Sequence, residues 1–415
     1  MKKKFTANMT RRGLLRSGFY GLGAVGAAGM PWLSGLTHAL DAAGNDNERI
    51  LVVVELSGGN DGLNTVVPFQ NDHYYRLRPT LAIPKNEALT ISDDIGFHPS
   101  LRAFEALYKD GKMAVIHGCG YDNPSLSHFT SMSYWHTGVP NGGEPLGWAG
   151  RFMDARWPEA ERENLLLNIA DSQSLAVRSR LHTPLVFDNP AQLNREGDEL
   201  QKQAYSQLVQ NRETGNGSLQ FLQNVAENAA SSSEFVRDAA AAYRTPVDYG
   251  ISGLGGDLRN VAALIDAGIG SKVYYTSYRG NAFDTHVYQA DLHSRLLLYA
   301  ADAINGFMRD IERLGRGREV AVMVFTEFGR RVEENASQGT DHGTATPMFV
   351  FSGSGEINGG LYGTHPSLGD LDDGNLRMTT DFRRVYASMI QEWMQYPDSA
   401  KVLRSPHAPL TLFRV

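Results

Sequence analysis

Residues 49–62 carry the stretch that decides the fold, and they read Arg-Ile-Leu-Val-Val-Val-Glu-Leu-Ser-Gly-Gly-Asn-Asp-Gly. The apolar, β-branched run is typical of a strand that is buried on both faces of a sheet. The glycine-rich segment behind it predicts a loop at the carboxyl end of that strand, and Asp61 lies in this loop. In parallel α/β sheets, ligands bind beyond the carboxyl ends of strands, so the stretch also indicates where a site is to be expected.

The same alternation of strands and helices continues along the chain. Apolar runs predict strands at residues 111–117, 165–169, 184–187, 272–276, 319–326 and 348–351. Helical spacing of apolar residues predicts helices at residues 99–109, 258–267, 291–314 and 382–395. A polar, helix-prone segment interrupts this pattern around residues 190–245. We therefore predict an α/β fold in which residues 44–415 form a single domain with a helical cap or insertion around 190–245.

The first 43 residues are predicted to be a twin-arginine signal peptide. A basic start is followed by Arg11-Arg12, by Leu14 and then by a weakly apolar, Gly/Ala-rich run. The alternative is a membrane anchor, but repeated glycines and Pro31 make that run a poor spanning helix. We expect a periplasmic or secreted protein that uses the twin-arginine pathway and meets the membrane only transiently, through the signal peptide.

Composition excludes several classes of function and of site. The formal net charge is −7, which provides no basic surface for nucleic acid. Cys119 is the only cysteine, so no intrachain disulfide and no cysteine-rich metal site can form within one chain. A metal ion in this protein would therefore be held by histidines and carboxylates.

Acidic residues and histidines recur in loops that follow predicted strands. Asp341-His342, in the run Gly-Thr-Asp-His-Gly-Thr-Ala at 339–345, is the strongest of these signals. Each candidate also has a structural interpretation as a turn residue, an ion-pair partner or a helix cap, and for His293 a supporting position behind a ligand is a further alternative. The candidate metal ligands are Asp61, Asp284, His286, His293, Glu327, Asp341, His342 and His365.

Hydrolysis of a phosphate or sulfate ester also needs a nucleophile. Ser127, next to His128 in a turn-rich segment, is the candidate catalytic pair. Adjacent side chains usually point apart, so His128 need not be the base, and a metal could activate Ser127 instead. An ordinary serine in a turn remains the structural alternative.

Several motifs together resemble one known family. They are Glu-Leu-Ser-Gly-Gly-Asn-Asp-Gly-Leu-Asn at 55–64, Pro-Ser-Leu-Ser-His-Phe at 124–129, Phe-Asp-Thr-His at 283–286, Thr-Glu-Phe-Gly-Arg at 326–330 and Thr-Asp-His-Gly-Thr at 340–344. The chain resembles the exported bacterial family called "domain of unknown function 1501", which is grouped with the alkaline phosphatase and sulfatase superfamily.

That resemblance implies a doubly wound α/β fold of alkaline-phosphatase-like type with a site for one or two divalent metal ions, whether zinc, calcium or magnesium. It implies that Ser127 stands at the nucleophile position, and that Asp61, Asp284, the Asp341-His342 pair and His365 stand at ligand positions. Three features depart from the superfamily pattern. Glu327 rather than an Asp-His pair directly follows the strand, position 288 is Tyr where a spaced histidine is expected, and position 126 is Leu where family members often have Arg.

Two hypotheses about function follow. The first is an exported metal-dependent hydrolase of a phosphate or sulfate ester, whose substrate is a small anionic ester or is derived from a polysaccharide. The second is a non-catalytic exported protein that keeps the fold and binds or assembles with another exported protein.

Overall fold

A nine-stranded sheet lies at the centre of the part of the chain that the structure describes. The computed structural model describes residues 49–158, 162–193, 232–353 and 355–414. In chain order, the strands are β1 Ile50–Leu56, β2 Val66–Val67, β3 Leu89–Thr90, β4 Gly96–Phe97, β5 Met113–Gly120, β6 Leu166–Ile169, β7 Leu185–Phe187, β8 Val273–Tyr278, β9 Val320–Phe325, β10 Thr346–Ser352, β11 Gly360–Tyr362, β12 Leu371–Asp372, β13 Asn375–Leu376 and β14 Thr380–Asp381.

Helices connect the strands of the sheet. They are α1 Gly62–Thr65, α2 Asp72–Leu77, α3 Arg102–Lys109, α4 His128–Thr137, α5 Trp148–Arg156, α6 Gly253–Ala267, α7 Gln289–Arg313, α8 Phe382–Ser388 and α9 Ser399–Leu403. Residues 232–242 are also helical, and short 3₁₀ turns lie at Leu175–Val177 and Pro190–Gln192. Among the helices of the described ranges, none combines the length and the apolar character that a membrane crossing requires.

The sheet is mostly parallel, as the strand–helix alternation predicts. Its order is β11-β5-β10-β9-β1-β8-β6-β7, and β14 pairs with β5 outside this path. β1 runs parallel to both of its neighbours, β8 and β9, while β10 is antiparallel to β9 and to β5. The prediction of a mixed α/β fold with a large, mostly parallel central sheet is confirmed.

The sequence of β1 explains why helices cover both faces of the sheet. Val52 and Val54 point into a core that includes residues of α6 and α7, whereas Leu51 and Val53 point into a second core shared with α4, α5 and α8. Side chains of a strand alternate between faces, so a strand without polar alternation must be covered on both sides. All seven residues of β1 are buried, and the chain is doubly wound around it.

The reversal at β10 brings two distant parts of the sequence to one edge of the sheet. β9 ends at Phe325, and β10 begins at Thr346 and runs in the opposite direction. The loop between them, residues 326–345, therefore stays at the edge where β9 ends. β1 and β8 are parallel to β9, so their carboxyl-terminal loops open at this same edge.

The predicted strands and helices differ from the observed ones at their ends. In addition, α4 and α5 lie where no helix was predicted, and α4 begins in the segment interpreted as turn-rich, since its buried face consists of Ser131, Trp135 and Thr137 and not of an apolar stripe. The helix expected at 99–109 begins at Arg102, and the last predicted helix is α-helical to Ser388 and continues as a π-helical turn, Met389–Trp393. The predicted signal peptide and residues 194–231 of the predicted helical insertion lie outside the described residues. The division into a signal peptide and one domain with an insertion therefore stays a prediction.

Candidate metal centre

Three histidines converge on one carboxylate beyond the carboxyl ends of the strands. Oδ1 of Asp284 lies 3.0 Å from Nε2 of His286 and 3.2 Å from Nε2 of His342, and these two nitrogens are 3.0 Å apart. Nε2 of His128 lies 3.4 Å from Oδ2 of the same aspartate. Asp284 and His286 follow β8, His342 belongs to the loop between β9 and β10, and His128 is the first residue of α4.

The other nitrogen of each histidine has an oxygen partner. Nδ1 of His128 lies 2.7 Å from Oε1 of Glu327, and Nδ1 of His286 lies 3.1 Å from Oδ1 of Asp341. Nδ1 of His342 lies 2.7 Å from the backbone oxygen of Leu126. A carbonyl or carboxylate oxygen accepts a hydrogen bond, so in each neutral ring the proton belongs on Nδ1 and the lone pair on Nε2. This assignment follows from the partners of each ring.

The arrangement therefore directs three imidazole lone pairs and a carboxylate at one another. Nε2 of His128 is buried and has no hydrogen-bond partner among the described residues. Acceptors that face each other without a donor are unfavourable unless a cation lies among them. His128, Asp284 and His342 offer ligand atoms that all lie within 4.8 Å of one another, which suits one metal ion. Among the described residues, these three are the metal-ligating side chains that lie close enough together to share one ion.

Protonation tendencies in the cluster differ from ring to ring. Burial lowers the pKa of His342 and so favours its neutral form, which is the form that binds metals. The hydrogen bond that Nδ1 of His128 donates to Glu327, followed by the negative charge of Glu327, raises the pKa of His128 despite partial burial. Burial alone would raise the pKa of Asp284, but the hydrogen bond and charge of Arg330 outweigh it, so that the carboxyl pKa lies below its usual value.

Arg330 connects the loops that form the site. Its guanidinium is buried and donates to Oδ1 of Asp284 at 2.7 Å. It also donates to backbone oxygens in three loops: Gly58 and Gly59 after β1, Phe283 after β8, and Thr340 before His342. A guanidinium has five donors in a planar fork, which allows one side chain to connect so many acceptors. Arg330 therefore positions the aspartate and ties the β1, β8 and β9–β10 loops together.

Glycines let these loops approach one another. Gly58 has a φ of +118°, a conformation that only glycine adopts readily, and a Cβ there would lie 2.7 Å from the backbone oxygen of Asn281. Its amide donates to Oε1 of Glu327 at 2.9 Å. At Gly339, a Cβ would overlap the backbone oxygen of His286. The glycine-rich character of both loops thus has a packing cause next to the cluster.

Two predicted ligands support the cluster instead of facing its centre. Glu327 is fully buried and its carboxylate is shared by His128, the amide of Gly58 and the hydroxyl of Thr326. Asp341 is more exposed, and it accepts from Asn335 as well as contacting His286. Partners of this kind orient metal-binding histidines and raise their basicity.

Three other predicted ligands lie elsewhere. Asp61 forms a buried ion pair with Arg78 at 2.6 Å and accepts from Gln289, which occupies its carboxylate. His293 is buried with its Nε2 2.8 Å from Oδ1 of Asn60, and burial lowers its pKa to about 3. His365 packs against His117, with 5.4 Å between ring centroids. The structure does not bring these three side chains to Asp284.

Ser127 lies at the edge of the cluster. It is the residue before the first turn of α4, is exposed, and is flanked by Leu126 and His128, both of which contact the site. Sequence adjacency suggested His128 as its partner, but both ring nitrogens of His128 face Glu327 and Asp284 instead. Ser127 therefore lies beside the candidate metal centre without a histidine base from its own neighbour.

Comparisons with known proteins give one family match and several distant structural likenesses. A family model described as "Protein of unknown function (DUF1501)" matches residues 258–405. This span includes three of the five motifs that carry the resemblance, at 283–286, 326–330 and 340–344, whereas those at 55–64 and 124–129 precede it. No curated protein matches the chain in sequence.

Among solved structures, the chain is similar to the zinc-bound C-terminal periplasmic domain of EcEptC from Escherichia coli, at 11% identity and a TM-score of 0.34 over 75% of this chain and 74% of that one. It is also similar to the lipoteichoic acid synthase LtaP from Listeria monocytogenes, at 9% identity and a TM-score of 0.34 over 76% and 68%. A third is BT1596, a 2-O GAG sulfatase, at 6% identity and a TM-score of 0.34 over 75% and 65%.

Sequence reasoning missed Arg330 and Arg78 as organisers of the site edge. Arg330 ends the motif Thr-Glu-Phe-Gly-Arg, and sequence alone suggested it only as an ion-pair partner of Glu327. Its actual partner is Asp284, together with four backbone oxygens. An arginine three residues after a glutamate at a strand end was the available signal, but only the fold shows which loops it joins.

Proposed function

We propose that this protein is an exported metal-dependent hydrolase of a phosphate or sulfate ester, with a single zinc ion held by His128, Asp284 and His342 and with His286 beside them, in contact with Asp284 and His342. The observation that carries the proposal is the convergence of three Nε2 atoms on one carboxylate while every Nδ1 is directed to an oxygen. Imidazole nitrogens suit zinc, whereas calcium and magnesium prefer oxygen ligands, so this donor set favours zinc.

The ion pair that Asp61 forms with Arg78 supports a site for one metal ion and not for two. The Asp61 carboxylate, which would be needed for a second ion, is paired with Arg78, and Arg78 also donates to Asn64. The buried guanidinium already supplies a positive charge beside this carboxylate. A second divalent ion there would meet that charge at close range.

The residues around the centre have different roles in the proposed ester hydrolysis. A bound zinc ion supplies positive charge that polarises an ester oxygen. Ser127 presents its hydroxyl at the amino end of α4, where the helix dipole favours negative charge, and it is the proposed nucleophile, with water as the alternative. Leu126 holds the ring of His342 through its backbone oxygen, and Glu327 holds the ring of His128.

Purified protein loaded with zinc tests the proposal. We expect about one zinc per chain by elemental analysis and hydrolysis of para-nitrophenyl phosphate or para-nitrophenyl sulfate. His342→Ala and Asp284→Asn should lose both the metal and the activity, while His407→Ala, which changes a half-buried histidine bonded to Ser405, serves as the matched control. Protein that takes up no divalent metal under any loading condition contradicts the proposal.

A non-catalytic binding role is the second candidate, and one observation favours it. Phe129 is 90% exposed and Tyr288 is 74% exposed, and each lies within two residues of a histidine of the cluster. Such apolar exposure beside a polar centre is typical of a surface that contacts another protein. A stoichiometric partner recovered with the exported protein, together with metal binding but no esterase activity, would support this role over hydrolysis.

A further inference from the structure

A cleft of about 480 Å³ shares a wall with the candidate metal centre. Leu126 and Phe328 line it, and both also contact the cluster. The backbone oxygen of Leu126 accepts from His342, and the ring of Phe328 lies 4.8 Å from that of His342 and 4.9 Å from that of His128, between centroids. The volume is within the range of small-molecule sites, roughly 300–1,000 Å³. A molecule in this cleft lies next to the metal centre.

Two buried polar atoms in the cleft wall lack partners. Among the described residues, neither Nε1 of Trp135 nor Oδ1 of Asn375 has a hydrogen bond. Trp135 is 1% exposed and Asn375 is 7% exposed, and both line the cleft. One atom is a donor and the other an acceptor, and leaving either of them unpaired is unfavourable. A hydroxyl group of a ligand can accept from a donor such as the first or donate to an acceptor such as the second.

The charges around the cleft are predominantly negative. Its lining includes four acidic residues, Asp122, Glu327, Asp372 and Asp373, against one cation, Arg377. That cation is already engaged, since Arg377 lies 3.2 Å from Asp370 and 3.6 Å from Asp372. A second anionic group of a ligand is therefore disfavoured here. A simple alkyl chain is also disfavoured, because it would leave both buried polar atoms unpaired.

Apolar side chains form the rest of the wall. Tyr121, Leu376 and Met378 join Phe328 in lining the cleft. The part of a ligand that lies in the cleft must therefore combine apolar faces with hydroxyl groups and carry no negative charge of its own. We propose that the cleft binds an uncharged sugar unit, which forms the alcohol part of the ester cleaved at the metal centre. The role of this sugar unit in catalysis rests on the proposed hydrolase function. Binding of the sugar in the cleft does not depend on that function.

Binding, measured apart from hydrolysis, tests the cleft. The probe is a printed array of uncharged hexose and N-acetylhexosamine oligosaccharides, with sulfated oligosaccharides and phosphatidylcholine vesicles as parallel arms. We expect the zinc-loaded protein to bind at least one uncharged oligosaccharide and to bind the vesicles not at all. The proposal is overturned if the protein binds only sulfated oligosaccharides, if it binds only vesicles, or if it binds none of these probes.

Variants separate the cleft from the metal centre. Asn375→Leu and Trp135→Phe should each weaken binding of the retained oligosaccharide at least about tenfold, because each removes one buried hydrogen-bonding group from the cleft wall. Trp148→Phe is the matched control, because Nε1 of Trp148 is equally buried and unpartnered in the described chain but does not line the cleft. Asn375→Leu nearly keeps the side-chain shape and removes the acceptor, so it remains informative if Trp135→Phe fails to fold. Equal binding by wild type and Asn375→Leu overturns the assignment.

The metal-centre variant His342→Ala distinguishes this proposal from the hydrolase proposal. We expect it to lose zinc and activity and to keep oligosaccharide binding. Sugar binding without hydrolysis in the wild type supports the cleft and contradicts the hydrolase. Hydrolysis of aryl esters without any oligosaccharide binding supports the hydrolase proposal and contradicts the proposal for the cleft.

Discussion

Nδ1 of His128 lies 2.7 Å from Oε1 of Glu327, and this contact decides where the opposite nitrogen points. Glu327 is fully buried at the end of β9, and it also receives the amide of Gly58. The ring is thereby fixed with Nε2 toward Asp284, at 3.4 Å from its Oδ2. The glutamate that follows the strand thus acts through a histidine that is distant in sequence.

We expect Glu327→Gln to weaken zinc binding by about tenfold to a hundredfold, because an amide orients and polarises His128 less well than a carboxylate. Competition with a chromophoric chelator measures the affinity. Glu319→Gln, which removes a carboxylate paired with Arg316 away from the site, is the control. Unchanged affinity in Glu327→Gln would show that this contact does not support the metal.

Asp61→Asn should leave the zinc content unchanged and lower the free energy of unfolding by about 3–5 kcal/mol, since Arg78 would be left buried without a counter-ion. Urea unfolding and elemental analysis of the same preparation measure the two quantities. In the double variant Asp61→Asn/Arg78→Met, no unpaired guanidinium remains, so part of the stability should return. Loss of zinc in the folded Asp61→Asn protein would instead make Asp61 a ligand.

Arg330→Lys is expected to lower stability by more than about 3 kcal/mol and to reduce zinc affinity, because an ammonium cannot replace a fork that joins Asp284 to backbone oxygens of several loops. The adjacent Arg331→Lys is a well-matched control, since Arg331 is partly exposed and its ion pair with Asp373 is 3.5 Å long. Thermal unfolding and chelator competition provide the measurements. Equal effects at the two positions would argue against the positioning role of Arg330.

Acidification should destabilise the protein through His117. Burial lowers the pKa of His117 to about 4, below its ordinary value. Between these two pKa values, the imidazole therefore binds a proton in the unfolded chain but stays neutral in the folded chain. Stability is therefore present above the unfolded pKa and is lost as the pH falls toward 4. Between about pH 7 and pH 4.5, the wild type should lose about 2 kcal/mol more than His117→Gln. Urea unfolding at both pH values measures this, and parallel losses would exclude His117 as a cause.

Export remains a prediction from the first 43 residues, and it has a direct test. Replacement of Arg11 and Arg12 by lysine should retain the full-length protein inside the cell, because the pathway recognises the arginine pair. Fractionation with an antibody against the mature chain measures the distribution. Processing and export that continue in the double variant would exclude the twin-arginine route.

Local patterns were sufficient for the main strands of the sheet and for the helices with a regular apolar stripe. They were not sufficient for α4, whose buried residues include Ser131 and Thr137. The β-branched run at 50–56 predicts a strand covered on both faces, and the two cores on either side of β1 confirm it. Strand and helix positions followed from periodicity because each element is specified by neighbouring residues. The loops at strand ends could likewise be identified, since parallel strands open their carboxyl ends at one edge.

The roles of the polar residues at that edge depend on contacts that no local pattern contains. Asp61, Glu327 and Asp341 look alike in sequence as acids in glycine-rich loops, yet the first pairs with Arg78 and the other two contact histidines. His128 was grouped with Ser127 by adjacency, and the fold directs it to Asp284.

The sequence by itself therefore determined the α/β architecture, the edge that carries the site and the kinds of side chain available there. Only the tertiary structure decided that His128, His286 and His342 share one carboxylate, because their convergence depends on the antiparallel return of β10 and on the loops that Arg330 holds together. Side-chain direction at a site follows from packing between elements far apart in the chain, and such packing has no signature within any one segment.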